Sequence, residues 1–94
     1  MKQYMLVQYG FEKPTPEIMS EWKKWFDAIG ARTVEQKGIT ATSVLDSSGM
    51  QNITADLERA TGYTILTAES MEEAQSIAIQ CPFITSISIF ELAG

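Results

Sequence analysis

Residues 2–9 read Lys-Gln-Tyr-Met-Leu-Val-Gln-Tyr, a nearly continuous apolar run that predicts a strand buried on both faces. Residues 10–14 break it. Thr15 then offers an N-cap, Pro16 stands at the first helical position, and Glu17 puts a negative charge where the helix dipole favours one. Ile18, Trp22, Trp25, Phe26 and Ile29 recur on one helical face, with Glu21, Lys23, Lys24 and Asp27 opposite. Gly30 reads as the C′ residue that closes this helix.

The pattern from 31 to 38 is weak and predicts a loop or an edge segment. Residues 40–46 are rich in Thr, Ser and Val; Asp46-Ser-Ser-Gly49 is a turn sequence, and residues 50–55 read as the returning strand of a hairpin. Residues 56–59 are charged and expected at the surface. Residues 62–68 predict a strand. Ser70 with Glu73 forms a capping box ahead of a second helix with Ala74, Ile77, Ala78 and Cys81 as its apolar stripe, ending near Pro82. Residues 84–92 alternate at period two, as a strand does. The order is β-α-β-β-β-α-β, or βαββαβ with the hairpin as an accessory. That is an α+β, ferredoxin-like antiparallel sheet with two helices on one face, since right-handed crossovers place both there. Residues 1–94 form one domain.

The last strand shows why this sheet needs a second layer. Thr85, Ile87, Ile89 and Glu91 point one way; Ile84, Ser86, Ser88, Phe90 and Leu92 point the other. Ile87 and Ile89 can serve the helices, yet Ile84, Phe90 and Leu92 remain on the opposite face. In the first strand Tyr4, Leu6 and Gln8 oppose Met5, Val7 and Tyr9, and neither set is polar. Two helices cover one face only. A homodimer packed sheet to sheet is the expected remedy.

Composition narrows the setting. With 45% hydrophobic residues in 94, the chain suits a globular domain small enough to gain from a partner. Net charge is −5, and the seven basic residues are scattered, so no phosphate-binding face can be assembled and no nucleic-acid partner is expected. No apolar run approaches the ~20 residues of a membrane span. The start of the chain is too short and too polar for a signal peptide. The single Cys81 permits no internal disulfide, so a cytoplasmic setting is expected.

Several blocks together carry a family likeness. They are Lys2-Gln-Tyr-Met-Leu-Val-Gln-Tyr9, Trp22-Lys-Lys-Trp25, Gly62-Tyr63, Ala68-Glu-Ser-Met-Glu-Glu-Ala74, Cys81-Pro82 and Ser86-Ile-Ser-Ile-Phe-Glu-Leu92. In these the chain resembles the YCII-related proteins, relatives of the DGPF-domain proteins. The resemblance implies a dimeric α+β barrel, in which two ferredoxin-like subunits pack their sheets together with a pocket in each. Two departures bear on function. The Asp-Gly-Pro-Phe motif is missing, the corresponding region reading Asn52-Ile-Thr-Ala-Asp-Leu-Glu-Arg59. A His–Asp pair of the kind the resemblance would suggest cannot be carried over, because the chain has no histidine.

Without histidine, acid–base chemistry would fall to carboxylates, Tyr, Lys or Cys, and no residue can be assigned a catalytic role. Asp46 reads as a solvated turn residue. Glu91 is either a strand end reaching water or a carboxylate with a raised pKa on a partly buried face. Cys81 reads as a structural thiol. Trp22 and Trp25 suit the core, or a wall for an aromatic ligand. Ser86 and Ser88 are small hydroxyls on an otherwise apolar face, leaving room inside a barrel, and Tyr4, Tyr9 and Tyr63 could point into the same cavity. The pocket candidates are thus Tyr4, Tyr9, Trp22, Tyr63, Ser86, Ser88 and Glu91. Metal-ligand spacing, Gly-rich phosphate loops and nucleophile elbows are absent, so no metal and no cofactor are expected. The expectation is a small-molecule-binding dimeric barrel, with room for a cofactor-independent enzyme on a small organic compound. The alternative is a non-catalytic dimeric interaction or structural module.

Overall fold

The computed structural model describes all 94 residues. Its elements are β1 (Lys2–Tyr9), α1 (Pro16–Ile29), β2 (Thr33–Gly38), β3 (Ser43–Asp46), β4 (Gly49–Asn52), β5 (Ala60–Ala68), α2 (Met71–Ile79) and β6 (Ser86–Glu91). The main sheet runs β2-β5-β1-β6 with every pair antiparallel, while β3 and β4 form a separate two-stranded sheet. With the hairpin set aside, this is the ferredoxin-like βαββαβ order. No helix is long and apolar enough to cross a membrane.

The caps hold as the sequence reads. Thr15 Oγ1 accepts from the Ile18 amide at 3.2 Å, and Ser70 Oγ accepts from the Glu73 amide at 3.2 Å. Glu73 reaches back to the Glu69 amide and also accepts from Arg32, whose guanidinium holds the Glu73 carboxyl below its ordinary range. Arg32 donates to the Thr67 carbonyl as well, so the end of α1 is tied to the start of α2. Gly30 does not close the helix as its sequence suggests. It sits at φ −51°, ψ −43°, an ordinary right-handed conformation, and α1 runs on into a 3₁₀ turn over Gly30–Arg32.

The weakly patterned stretch after α1 is an edge strand of the main sheet. Thr33 pairs with Leu66 and Gly38 with Gly62, with the register slipping between Thr33 and Glu35. An edge strand has one bare side and tolerates charge, so Glu35, Gln36 and Lys37 show no apolar alternation. The hairpin is shorter than its sequence suggests, 43–52 rather than 40–55, and lies outside the main sheet.

Tyr4, Leu6 and Leu66 are fully buried beneath the helices, with Trp25, Ile29, Ala74 and Ala78 above them. The two helices approach the sheet differently. α2 meets it through Ala74 and Ala78 and lies close over β6, β1 and β5. α1 meets it through Trp25, Ile29 and the half-buried Trp22 and Phe26, which stand it further off. The Trp25 indole donates to the Ile77 carbonyl at 3.1 Å and locks α1 against α2. As expected, Ile87 and Ile89 share the helix face, paired with Gln8 and Leu6. On the other face Met5 pairs with Phe90 and Ile65, and Val7 with Ser88 and Tyr63. No layer covers that face, and Phe90 is 45% exposed.

Candidate ligand cleft

The spacing of α1 from the sheet has a direct result. Trp25 and Ile29 fill the gap under the second half of the helix. Under its first half the gap stays open as a cleft of about 620 Å³. Ile18, Met19, Trp22 and Phe26 form the helix wall, and Phe11 and Ile84 close one end. Gln8, Gly62 and Thr64 make the sheet floor, with Gln36 on the β2 side. The Trp22 ring lies 5.5 Å from Phe26 and edge-on to Trp25 at 6.0 Å, so the aromatic wall is held rigid.

Gly10 shapes the entrance. Its φ of +97° turns the chain out of β1, and a Cβ there would collide with the Thr85 hydroxyl and backbone. Its amide donates to the Arg59 carbonyl at 2.8 Å, and the next amide, of Phe11, donates to the Asp56 carbonyl at 2.6 Å. The Arg59 guanidinium then lies 4.6 Å above the Phe11 ring, fixing that ring at the cleft mouth.

The structure scatters the sequence candidates. Trp22 and Tyr63 both border the cleft, but register turns the Tyr63 side chain to the uncovered face with Val7, where its hydroxyl donates to Glu35 and that carboxylate raises the Tyr63 pKa. Tyr4 is buried at the other end of β1 and donates to Glu91 at 2.9 Å; burial and that carboxylate push its phenol up. Glu91 also lies 3.5 Å from the Lys2 ammonium, with its side chain 45% exposed. Tyr9, Ser86 and Ser88 stand on the uncovered face, away from the cleft. Asp46 accepts from the hydroxyl and amide of Ser48, which lower its pKa. Cys81 is buried, and desolvation pushes its thiol up to about 12.

Sequence reasoning missed the floor. Gln8 is 5% exposed, and its Nε2 has no hydrogen-bond partner. The amide lies close enough to Cys81 to work weakly against that thiol's upward shift. Sulfur is a soft acceptor, however, and no hydrogen bond of good geometry forms. The signal was present: Gln8 shares its strand face with Tyr4 and Leu6, where a polar residue is out of place.

No protein-family model matches the chain, and no curated protein matches it by sequence. Among solved structures it is similar to the 5-chloro-2-hydroxyhydroquinone dehydrochlorinase TftG from Burkholderia phenoliruptrix AC1100, solved in complex with 2,5-dihydroxybenzoquinone. The TM-score is 0.61 at 12% identity, over 97% of this chain and 93% of that one. At that identity the likeness is one of fold, and it supports the α+β architecture that the resemblance to YCII-related proteins implies.

Proposed function

We propose that this protein binds a small organic molecule in the cleft between α1 and the sheet, and that it works as a homodimer joined through the uncovered sheet face. The cleft carries the proposal. Its volume of about 620 Å³ falls among ligand sites of about 300–1,000 Å³, and it has the usual apolar walls with a few convergent polar groups. The dehydrochlorinase of the same fold was solved with a single-ring compound, which such a space would hold. No reaction is assigned: the chain has no histidine, and Glu12 is the one carboxylate bordering the cleft. A lone buried thiol suits a reducing cytoplasm.

The placement differs from a cavity between two sheets, and substitutions separate them. Ile18→Trp fills the cleft from α1, whereas Ser88→Leu adds bulk on the opposite face. In a thermal-shift screen of small aromatic compounds, Ile18→Trp should abolish the rise in melting temperature and Ser88→Leu should keep it. The reverse pattern would put the ligand between the sheets and remove this proposal.

A further inference from the structure

Gln8 sits where the closed and the open parts of the helix layer meet. Cys81, just past the end of α2, is buried on one side of it, and the cleft under α1 lies on the other. The carboxamide is divided between the two. Its Nε2 is sealed from solvent and turned to the Cys81 sulfur. Its Oε1 is turned to Gly62, which pairs with Gln8 in register and belongs to the cleft floor; a Cβ added there would stand 3.5 Å from that oxygen. The side-chain polar atoms that are both sealed and without a partner are Gln8 Nε2 and Thr42 Oγ1. Oε1 is not among them, and no protein group donates to it, so the 5% of Gln8 that stays exposed includes this oxygen.

The floor therefore offers an acceptor and keeps its donor turned away. A ligand seated there takes solvent off Oε1. An O–H or N–H at its buried end restores the lost hydrogen bond, whereas an ether or ketone oxygen sets two acceptors face to face and leaves Oε1 unsatisfied. Glu12, Lys23 and Lys37 all border the cleft, so its rim carries both signs of charge, and selection at the floor is of donor against acceptor rather than of charge. Trp22, Phe26 and Ile18 supply apolar surface for a ring above it.

We infer that Gln8 selects, through Oε1, a ring-sized apolar ligand whose buried end carries a neutral hydrogen-bond donor, a phenol being the simplest case. This rests on the cleft being the binding site. The test is an NMR titration of the ¹³C,¹⁵N-labelled protein with phenol, anisole and acetophenone, following the Trp22 indole and the Gln8 carboxamide carbon. Phenol should bind about 5- to 10-fold tighter than anisole, the usual worth of one hydrogen bond, and should move the carboxamide carbon. Acetophenone should bind no tighter than anisole. Gln8→Met, close in volume but without the acceptor, should erase the difference between phenol and anisole. Equal binding of phenol and anisole by the wild type, tightest binding of acetophenone, an unmoved carboxamide carbon, or a difference that survives in Gln8→Met would overturn the inference while the cleft reading stands. If none of the three compounds moves the Trp22 indole, the cleft reading falls and the inference with it. Should Gln8→Met fail to fold, the wild-type titration still decides.

Discussion

Gly10 shows how a single residue can hold a site open from outside it. Its left-handed backbone and the closeness of Thr85 leave no room for a side chain. Gly10→Ala should therefore cost about 1–3 kcal/mol, read as a lower urea midpoint with an unchanged slope. The sequence marks this position only as a break after the first strand. The demand for glycine comes from Thr85, just ahead of β6 and far along the chain, and no local pattern carries it. Cys81 makes a prediction of the opposite kind. Unfolded, its thiol ionises near 9.0; folded, burial delays ionisation to about 12. Between those values the unfolded state holds fewer protons, so stability is full below pH 9 and falls as pH rises toward 12. The slope from this one group reaches about 1.4 kcal/mol per pH unit. Tyr4, also raised, acts in the same direction. Urea midpoints measured from pH 8 to 10.5 should fall in the wild type and fall less steeply in Cys81→Ala.

Among the elements, legibility followed burial. β5 and both helices are readable because each buries one side, and burial imposes period two or 3.6. β1 is readable from its nearly continuous apolar run, although only the face of Tyr4, Leu6 and Gln8 is fully buried. β2 is not, because an edge strand with Glu35, Gln36 and Lys37 answers only to backbone pairing with β5. The candidate pocket residues do not gather at the cleft for a related reason. Ser86 and Ser88 share one strand face, and the register adds Tyr9 to it, but the cleft forms on the other, where helix spacing rather than strand pattern makes the room. The β3–β4 hairpin is legible and yet independent of the core. Its strands are exposed almost throughout, and its closest contacts are internal, including Ser43 to Asn52 at 2.7 Å. Two strands alone are marginal in water. Hydrogen exchange should be fast across residues 43–52 and slow in β1 and β5; equal protection in the free protein would show that the hairpin is held by something more than itself.

As a whole the molecule is a slab, 39 × 38 × 19 Å, one sheet and one helix layer thick. A compact monomer of 10.4 kDa should expose about 5,400 Å², and this one exposes 6,313 Å². The excess, about 900 Å², is close to the ~800 Å² that each partner contributes to a standard interface. Met5, Val7, Ile65 and Phe90 occupy the face where that area would be recovered. Sedimentation at micromolar concentration should give twice the 10.4 kDa chain mass. Phe90→Lys should give a single chain with its far-UV spectrum intact, while a wild type that sediments as a monomer would refute the dimer.

Because the width of the chamber is set by the bulk of a few rings on one helix, and not by the path of the backbone, its size can change without the frame changing. Trimming or enlarging Trp22 or Phe26 would resize the guest compartment one side chain at a time, while α2 and the strands keep the scaffold fixed. A frame that varies so cheaply suits the recruitment of one small shape to many unrelated compounds.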